Sequence, residues 1–140
     1  MRRYQKNWSD LFGGVYVDGV SVFTSNVYMQ KDLDITNDIY IHGNTIQDSD
    51  RRIKYDIEPI ENSLDKIKLL TGCTFSKMNN DRRHTGLIAQ DVQNVLPEAV
   101  YTQDNGILGI DYGNMMGLIV EGIKSLSDKV DELKSLLKDT

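Results

Sequence analysis

The 140-residue sequence holds one cysteine, Cys73, two histidines, His42 and His84, two prolines and a single tryptophan, Trp8. One cysteine excludes a disulfide framework and a multi-thiolate zinc site. Two histidines are too few for a histidine-rich metal centre. No metal and no cofactor is therefore expected. No stretch approaches 18 apolar residues, so no segment reads as a transmembrane helix and no membrane partner is expected. The opening MRRYQKNWSDLFGGV is basic but lacks the apolar stretch of a secretory signal. An excess of positive charge is missing too. Sixteen Lys and Arg stand against 21 Asp and Glu, a net charge of −5, which argues against a nucleic-acid partner. The pairs Arg2-Arg3, Arg51-Arg52 and Arg82-Arg83 are scattered and read as solvated. The acidic residues are spread evenly and single out no carboxylate pair for glycoside chemistry.

What is present changes character near residue 48. VYVDGVSVF (15–23) alternates apolar and polar residues around Asp18-Gly19, a dipeptide that favours tight hairpin turns. LDITNDIYIHGNTI (33–46) alternates again, with Leu33, Ile35, Ile39 and Ile41 spaced in twos and His42-Gly43-Asn44 as a turn signal. These patterns predict short strands with few apolar residues each. Forty-eight such residues cannot bury a core alone, so this part needs other subunits.

Beyond residue 48 the pattern mixes helix and strand. Pro59 with Ile60, Leu64, Ile67 and Leu70 predicts a helix stopped by Gly72. CTF (73–75) reads as a strand, SKMNNDRR (76–83) as a polar turn, and HTGLIAQDVQNVL (84–96) as running from a glycine into a short helix, with Ile88, Val92 and Val95 or Leu96 on one face, ended by Pro97. AVY (99–101) and GILGI (106–110) read as strands across the loop TQDNG. A long helix is predicted from Asp111 to Leu137. In it Met116, Ile119, Ile123, Leu126, Val130, Leu133 and Leu137 keep an unbroken 3-4 spacing, the mark of a coiled-coil seam. Val120 and Leu136 add apolar bulk beside the seam where a strict dimer would carry charge, which favours three strands. The competing reading is an amphipathic helix packed on its own domain.

SDRRIKYDIEPI (49–60), RHTGLIAQDVQNVLPEAV (83–100) and IDYGNMMGLIVEGIKSL (110–126), in that order, resemble the intramolecular chaperone auto-processing domain. That family ends phage tailspikes, tail fibres, neck appendages and endosialidases, and occurs in the membrane-bound myelin regulatory factor. The resemblance spans about residues 48 to 126. It implies a homotrimer that guides folding of the β-rich fibre just upstream and then cuts itself free. It also implies that the cut falls on the N-terminal side of the serine of an S-D-x-x-x-K motif, so that the scissile bond joins Asp48 to Ser49. The serine and the lysine five residues on, here Ser49 and Lys54, form the catalytic dyad. His84 and Gly86 match an R-H-x-G element and are possible supporting residues.

The expected fold is thus α+β. Residues 1–48 end a β-rich trimeric shaft, and 49–140 form a chaperone head with a coiled-coil helix at about 111–137. The expected partners are two further copies of the chain and its own upstream shaft. The expected location is the virion, with the chaperone part released after assembly in the host cytoplasm. The rival expectation is a trimerisation or structural tip domain that does not cleave.

The chemistry sets its own conditions. A serine hydroxyl is a weak nucleophile until a base takes its proton. A lysine serves only when neutral, and bringing its pKa from 10.4 to near 7.5 takes roughly 4 kcal/mol at 1.36 kcal/mol per pKa unit. Burial supplies such a shift, and trimer assembly is its expected source. Geometry adds a constraint. On a helix, five residues leave two side chains about 140° apart; on a strand they face opposite sides. Either the segment bends or Lys54 comes from a neighbouring chain. Cys73 paired with His84 as a thiol protease is not expected, because Cys73 sits in an apolar stretch as a small hydrophobe.

Overall fold

The structure is a computed structural model that describes residues 18–78 and 80–138. Trp8 and the Arg2-Arg3 pair lie outside the described residues. The chain divides into two units between Asp48 and Ser49.

Residues 18–48 contain no strand and are exposed throughout, which corrects the strands expected within 15–23 and 33–46 (15–17 lie outside the described residues). The reason is physical. A strand persists only with a ladder partner and a covered face, and nothing in this segment supplies either. Val20, Tyr28 and Ile46 are each at least 85% exposed. Apolar surface on that scale marks an interaction surface.

The second unit is α+β. It contains α1 (Ser63–Lys68), β1 (Cys73–Lys77), β2 (Asn80–Gly86), α2 (Ala89–Val95), β3 (Val100–Thr102), β4 (Leu108–Ile110) and α3 (Met115–Lys138). Its core joins Val92, Val95, Leu96, Ala99, Met115 and Leu118, with Ile60, Ile67, Leu70, Leu87, Val100 and Ile110 packed around them. Pro97 ends α2 and opens a short 3-10 turn over Pro97–Ala99 that leads into β3.

Two antiparallel hairpins result. In β3–β4, Val100 faces Ile110 and Thr102 faces Leu108. In β1–β2, Cys73 faces Gly86 and Phe75 faces His84, with an irregularity between Ser76 and Lys77. β2 corrects the polar turn expected over 76–83, because NDRRHTG carries no apolar alternation. It pairs nonetheless through its backbone and through Arg83, whose guanidinium donates to Thr74 Oγ1 at 2.6 Å and Ser76 Oγ at 3.4 Å. Those groups occupy the exposed face, while Cys73, Phe75 and His84 take the half-buried one.

Two helix starts also differ from expectation. α1 begins at Ser63 rather than near Pro59, because Asn62 adopts a left-handed conformation with φ 52°. α3 begins four residues after Asp111, whose Oδ1 accepts from the amides of Gly113 at 2.9 Å and Asn114 at 3.3 Å. That carboxylate holds the turn before the helix.

α3 has two apolar faces about 90° apart at 3.6 residues per turn. Met115, Leu118 and Gly122 are buried against the rest of the unit. Met116, Ile119, Ile123, Leu126, Val130, Leu133 and Leu137 lie between 41% and 75% exposed. The helix therefore packs on its own domain and also leaves the whole 3-4 stripe open. No helix among the described residues is long and apolar enough to cross a membrane.

The kink before α1 predicts a graded response. Asn62→Gly, which adopts positive φ freely, should leave the thermal midpoint unchanged or slightly higher. Asn62→Val should cost about 1–2 kcal/mol in thermal denaturation.

Candidate active site

The segment after Asp48 opens with Ser49 and enters a 3-10 turn over Arg51–Ile53. Asp50 caps that turn. Its Oδ1 accepts from the Arg52 amide at 2.8 Å and from Arg52 Nε at 3.0 Å, and Oδ2 accepts from the Arg52 guanidinium at 2.7 Å. Backbone bonds close the turn, with the Ile53 and Lys54 amides donating to the Asp50 and Arg51 carbonyls at 3.2 Å each. Lys54 leaves it in extended conformation, φ −118° and ψ 145°.

The outcome is a bend of the required kind. Lys54 Nζ donates to Ser49 Oγ at 2.7 Å within one chain. Of the two routes that the spacing left open, the chain takes the first. Both side chains are exposed, as are all residues from 49 to 59. Burial of Lys54, expected to come with assembly, is therefore absent from the single chain. The Arg52 guanidinium holds the Asp50 carboxyl below its ordinary value of 3.8, and Asp50 in turn raises the pKa of Arg52. The charge of Arg52 is thus matched by Asp50.

His84 and Gly86 lie elsewhere in the unit. The His84 ring stacks on Phe75 with centroids 6.0 Å apart, and its Nε2 is buried with no hydrogen-bond partner. His84 and Phe75, with Leu87, Ile88, Ile110 and Tyr112, line a hollow of about 440 Å³ that includes neither Ser49 nor Lys54. Gly86 is small for a reason: a Cβ there would stand 2.5 Å from Tyr112 Oη. Tyr112 Oη accepts from the Leu87 amide at 3.2 Å, tying the start of α3 to the β2–α2 junction. The Cys73 thiol donates to the Gly86 carbonyl at 3.5 Å and has no bond to His84, as expected of a small hydrophobe. Among the described residues no cluster of His, Cys, Asp or Glu could hold a metal ion.

Sequence reasoning missed two contributors. Asp50 entered it only as part of the motif, although an aspartate at a segment start is a turn-capping signal. Tyr112 was quoted only within a longer motif, and nothing in its spacing announced a bond to Leu87.

Residues 49–101 match the family described as chaperone of endosialidase, a peptidase family. The chain is 37% identical over 135 residues to the long tail fiber protein Gp37 of Enterobacteria phage T2 and 36% identical over 135 residues to that of Enterobacteria phage K3. Each match covers 88% of this chain and 10% of the fibre protein. The myelin regulatory factor homolog 1 of Caenorhabditis elegans is 33% identical over 147 residues, which is 94% of this chain and 16% of that protein. The chain thus spans about a tenth of the length of these two fibre proteins.

The capped turn carries a pH prediction. Asp50 has a lowered pKa when folded, so its contribution is full above its ordinary 3.8 and is lost as pH falls through the lowered value. The Arg52 amide resonance should stay constant from about pH 5 to 8 and move only below about 4. A transition centred near 6 would contradict the cap.

Proposed function

The chain belongs to the chaperone-of-endosialidase family through residues 49–101, and on that premise we propose that it is a trimeric, self-cleaving folding chaperone from the end of a phage fibre. Residues 1–48 are the last part of the shaft and 49–140 the chaperone head. The observation that carries the reading is the 2.7 Å hydrogen bond between Lys54 and Ser49, beside the bond to be cut.

The exposed stripe on α3 supports trimerisation, since a row of seven apolar side chains at 3-4 spacing is stable only when covered. The bare apolar residues of 18–48 support a shaft that folds with copies of itself. Three heads held by their seam bring three shaft segments together and remove much of the entropy cost of registering them.

Assembly covers Lys54, which favours its neutral form. The neutral Nζ then takes the Ser49 hydroxyl proton as Oγ adds to the Asp48 carbonyl carbon. The carbon–nitrogen bond breaks, the Ser49 nitrogen departs as an amine carrying the proton from Lys54, and Asp48 remains as an ester. Water hydrolyses that ester to the Asp48 carboxylate and restores the hydroxyl. Each chain turns over once. Release leaves the shaft folded in the virion without its folding aid, and so kinetically stable. No external substrate, metal or cofactor enters.

Two variants test the base and its gating. Lys54→Arg keeps the charge and the donor but cannot lose its proton near neutrality, so cleavage should fall about 10²–10⁴-fold. Ile123→Asp with Leu126→Asp disrupts the seam without touching the buried face of α3. That protein should stay uncleaved near pH 7.5 and cleave slowly as pH approaches the free lysine value of about 10.4. A monomer that cleaves at the wild-type rate near pH 7.5 would refute the gating. A wild type whose trimer never cleaves would favour the non-cleaving structural tip.

A further inference from the structure

The turn that joins Ser49 to Lys54 is held in the single chain by local bonds. Every residue from 49 to 59 is exposed, so no core pins the turn. Its two backbone bonds, from the Ile53 and Lys54 amides to the Asp50 and Arg51 carbonyls, are long at 3.2 Å each. A 3-10 turn has poor hydrogen-bond geometry in any case. The shortest bond to its backbone comes from a side chain: the Arg52 amide donates to Asp50 Oδ1 at 2.8 Å.

Two features separate this acceptor from the charge it carries. The Arg52 guanidinium grips both carboxylate oxygens, at 3.0 and 2.7 Å. That ion pair is open to solvent, its side chains 88% and 46% exposed, and such pairs contribute little. The carboxylate's bonds run to Arg52, whereas Ser49 Oγ and Lys54 Nζ bond each other at 2.7 Å. What reaches the dyad from Asp50 is therefore the shape of the turn. Ser49 precedes it directly, and Lys54 leaves it in extended conformation. An oxygen set over the Arg52 amide holds that shape. A neutral oxygen serves as well as a charged one, since asparagine and aspartate are equally good caps.

We propose that Asp50 is a positioning residue for the cleavage reaction, acting as the hydrogen-bond acceptor for the Arg52 amide and not as a negative charge. The inference rests on the self-cleavage reading above. Without the cap the turn opens more often, and each opening carries the Lys54 amine away from the Ser49 hydroxyl. The rate then falls with the fraction of chains that keep the turn. The chemistry of the pair, once it is formed, is unchanged.

Two substitutions of equal charge supply the test. Asp50→Asn keeps the acceptor, Asp50→Ala removes it, and both are neutral, so the difference between them reads the cap alone. The full chain should be made by timed cell-free synthesis as wild type and as each variant. Native mass gives the trimer fraction, and denaturing mass gives the cleavage rate per assembled trimer across pH. Asp50→Ala should form trimers yet cleave about five- to thirtyfold more slowly per trimer, the factor that loss of a cap side chain carries. Asp50→Asn should stay within about twofold of wild type, and the two variants should share one pH midpoint. Equal rates per trimer for Asp50→Ala and wild type would overturn the inference and leave self-cleavage intact. Asp50→Asn as slow as Asp50→Ala would assign the role to the charge and overturn it too. If Asp50→Ala does not assemble, Asp50→Leu, of similar shape but without an acceptor, takes its place. Slow cleavage there beside a fast Asp50→Asn supports the inference, and equal rates overturn it. A wild type that assembles and stays whole would remove the cleavage reading, and this inference with it.

Discussion

Everything at the candidate site depends on a single capped turn. Ser49 and Lys54 are five residues apart, a spacing that neither a helix nor a strand can close. The 3-10 turn over Arg51–Ile53 closes it, and Asp50 holds the turn through its bonds to the amide and guanidinium of Arg52. The acid thereby serves the site without entering the chemistry. Its carboxylate also matches the charge of Arg52.

The second organising feature is the division of labour on α3. One face seals a small core with Met115 and Leu118, while the adjoining face offers an uninterrupted apolar stripe to the outside. Interior glycines lower helix propensity by about 1 kcal/mol each relative to alanine, and packing of Ile60 and Ile67 against the bare backbone of Gly117 and Gly122 offsets that cost. A helix that is satisfied on one side and open on the other explains why the head has its own fold while the segment before Ser49 has none among its described residues. On the proposed reading, the same copies that cover the stripe also complete the shaft and dry the lysine.

Much of this was legible in the residues. The α+β class, the short helix ended by Pro97, the β3–β4 hairpin and the long last helix all follow from periodicity and breakers. The seam residues were legible as a stripe, and the structure leaves that stripe exposed. Other features depend on contacts that local patterns do not encode. β2 is polar and pairs through Arg83, so alternation could not announce it. The start of α1 is decided by a left-handed Asn62 and that of α3 by the Asp111 carboxylate, both tertiary choices. The strands expected before residue 48 followed a correct alternation but lacked any partner to pair with. At the site, the residues Ser49 and Lys54 came from the motif and their need for a bend came from geometry. The agent of the bend, Asp50, was overlooked because it was read as part of the motif rather than as a cap.

The central claim is that the chain cuts itself between Asp48 and Ser49 with the hydroxyl of Ser49. The most direct measurement is the denaturing intact mass of the purified wild type beside Ser49→Ala. The account predicts a wild-type fragment that begins at Ser49 and a single full-length mass for the alanine variant. Full-length mass in both, or the same fragment in both, would contradict it.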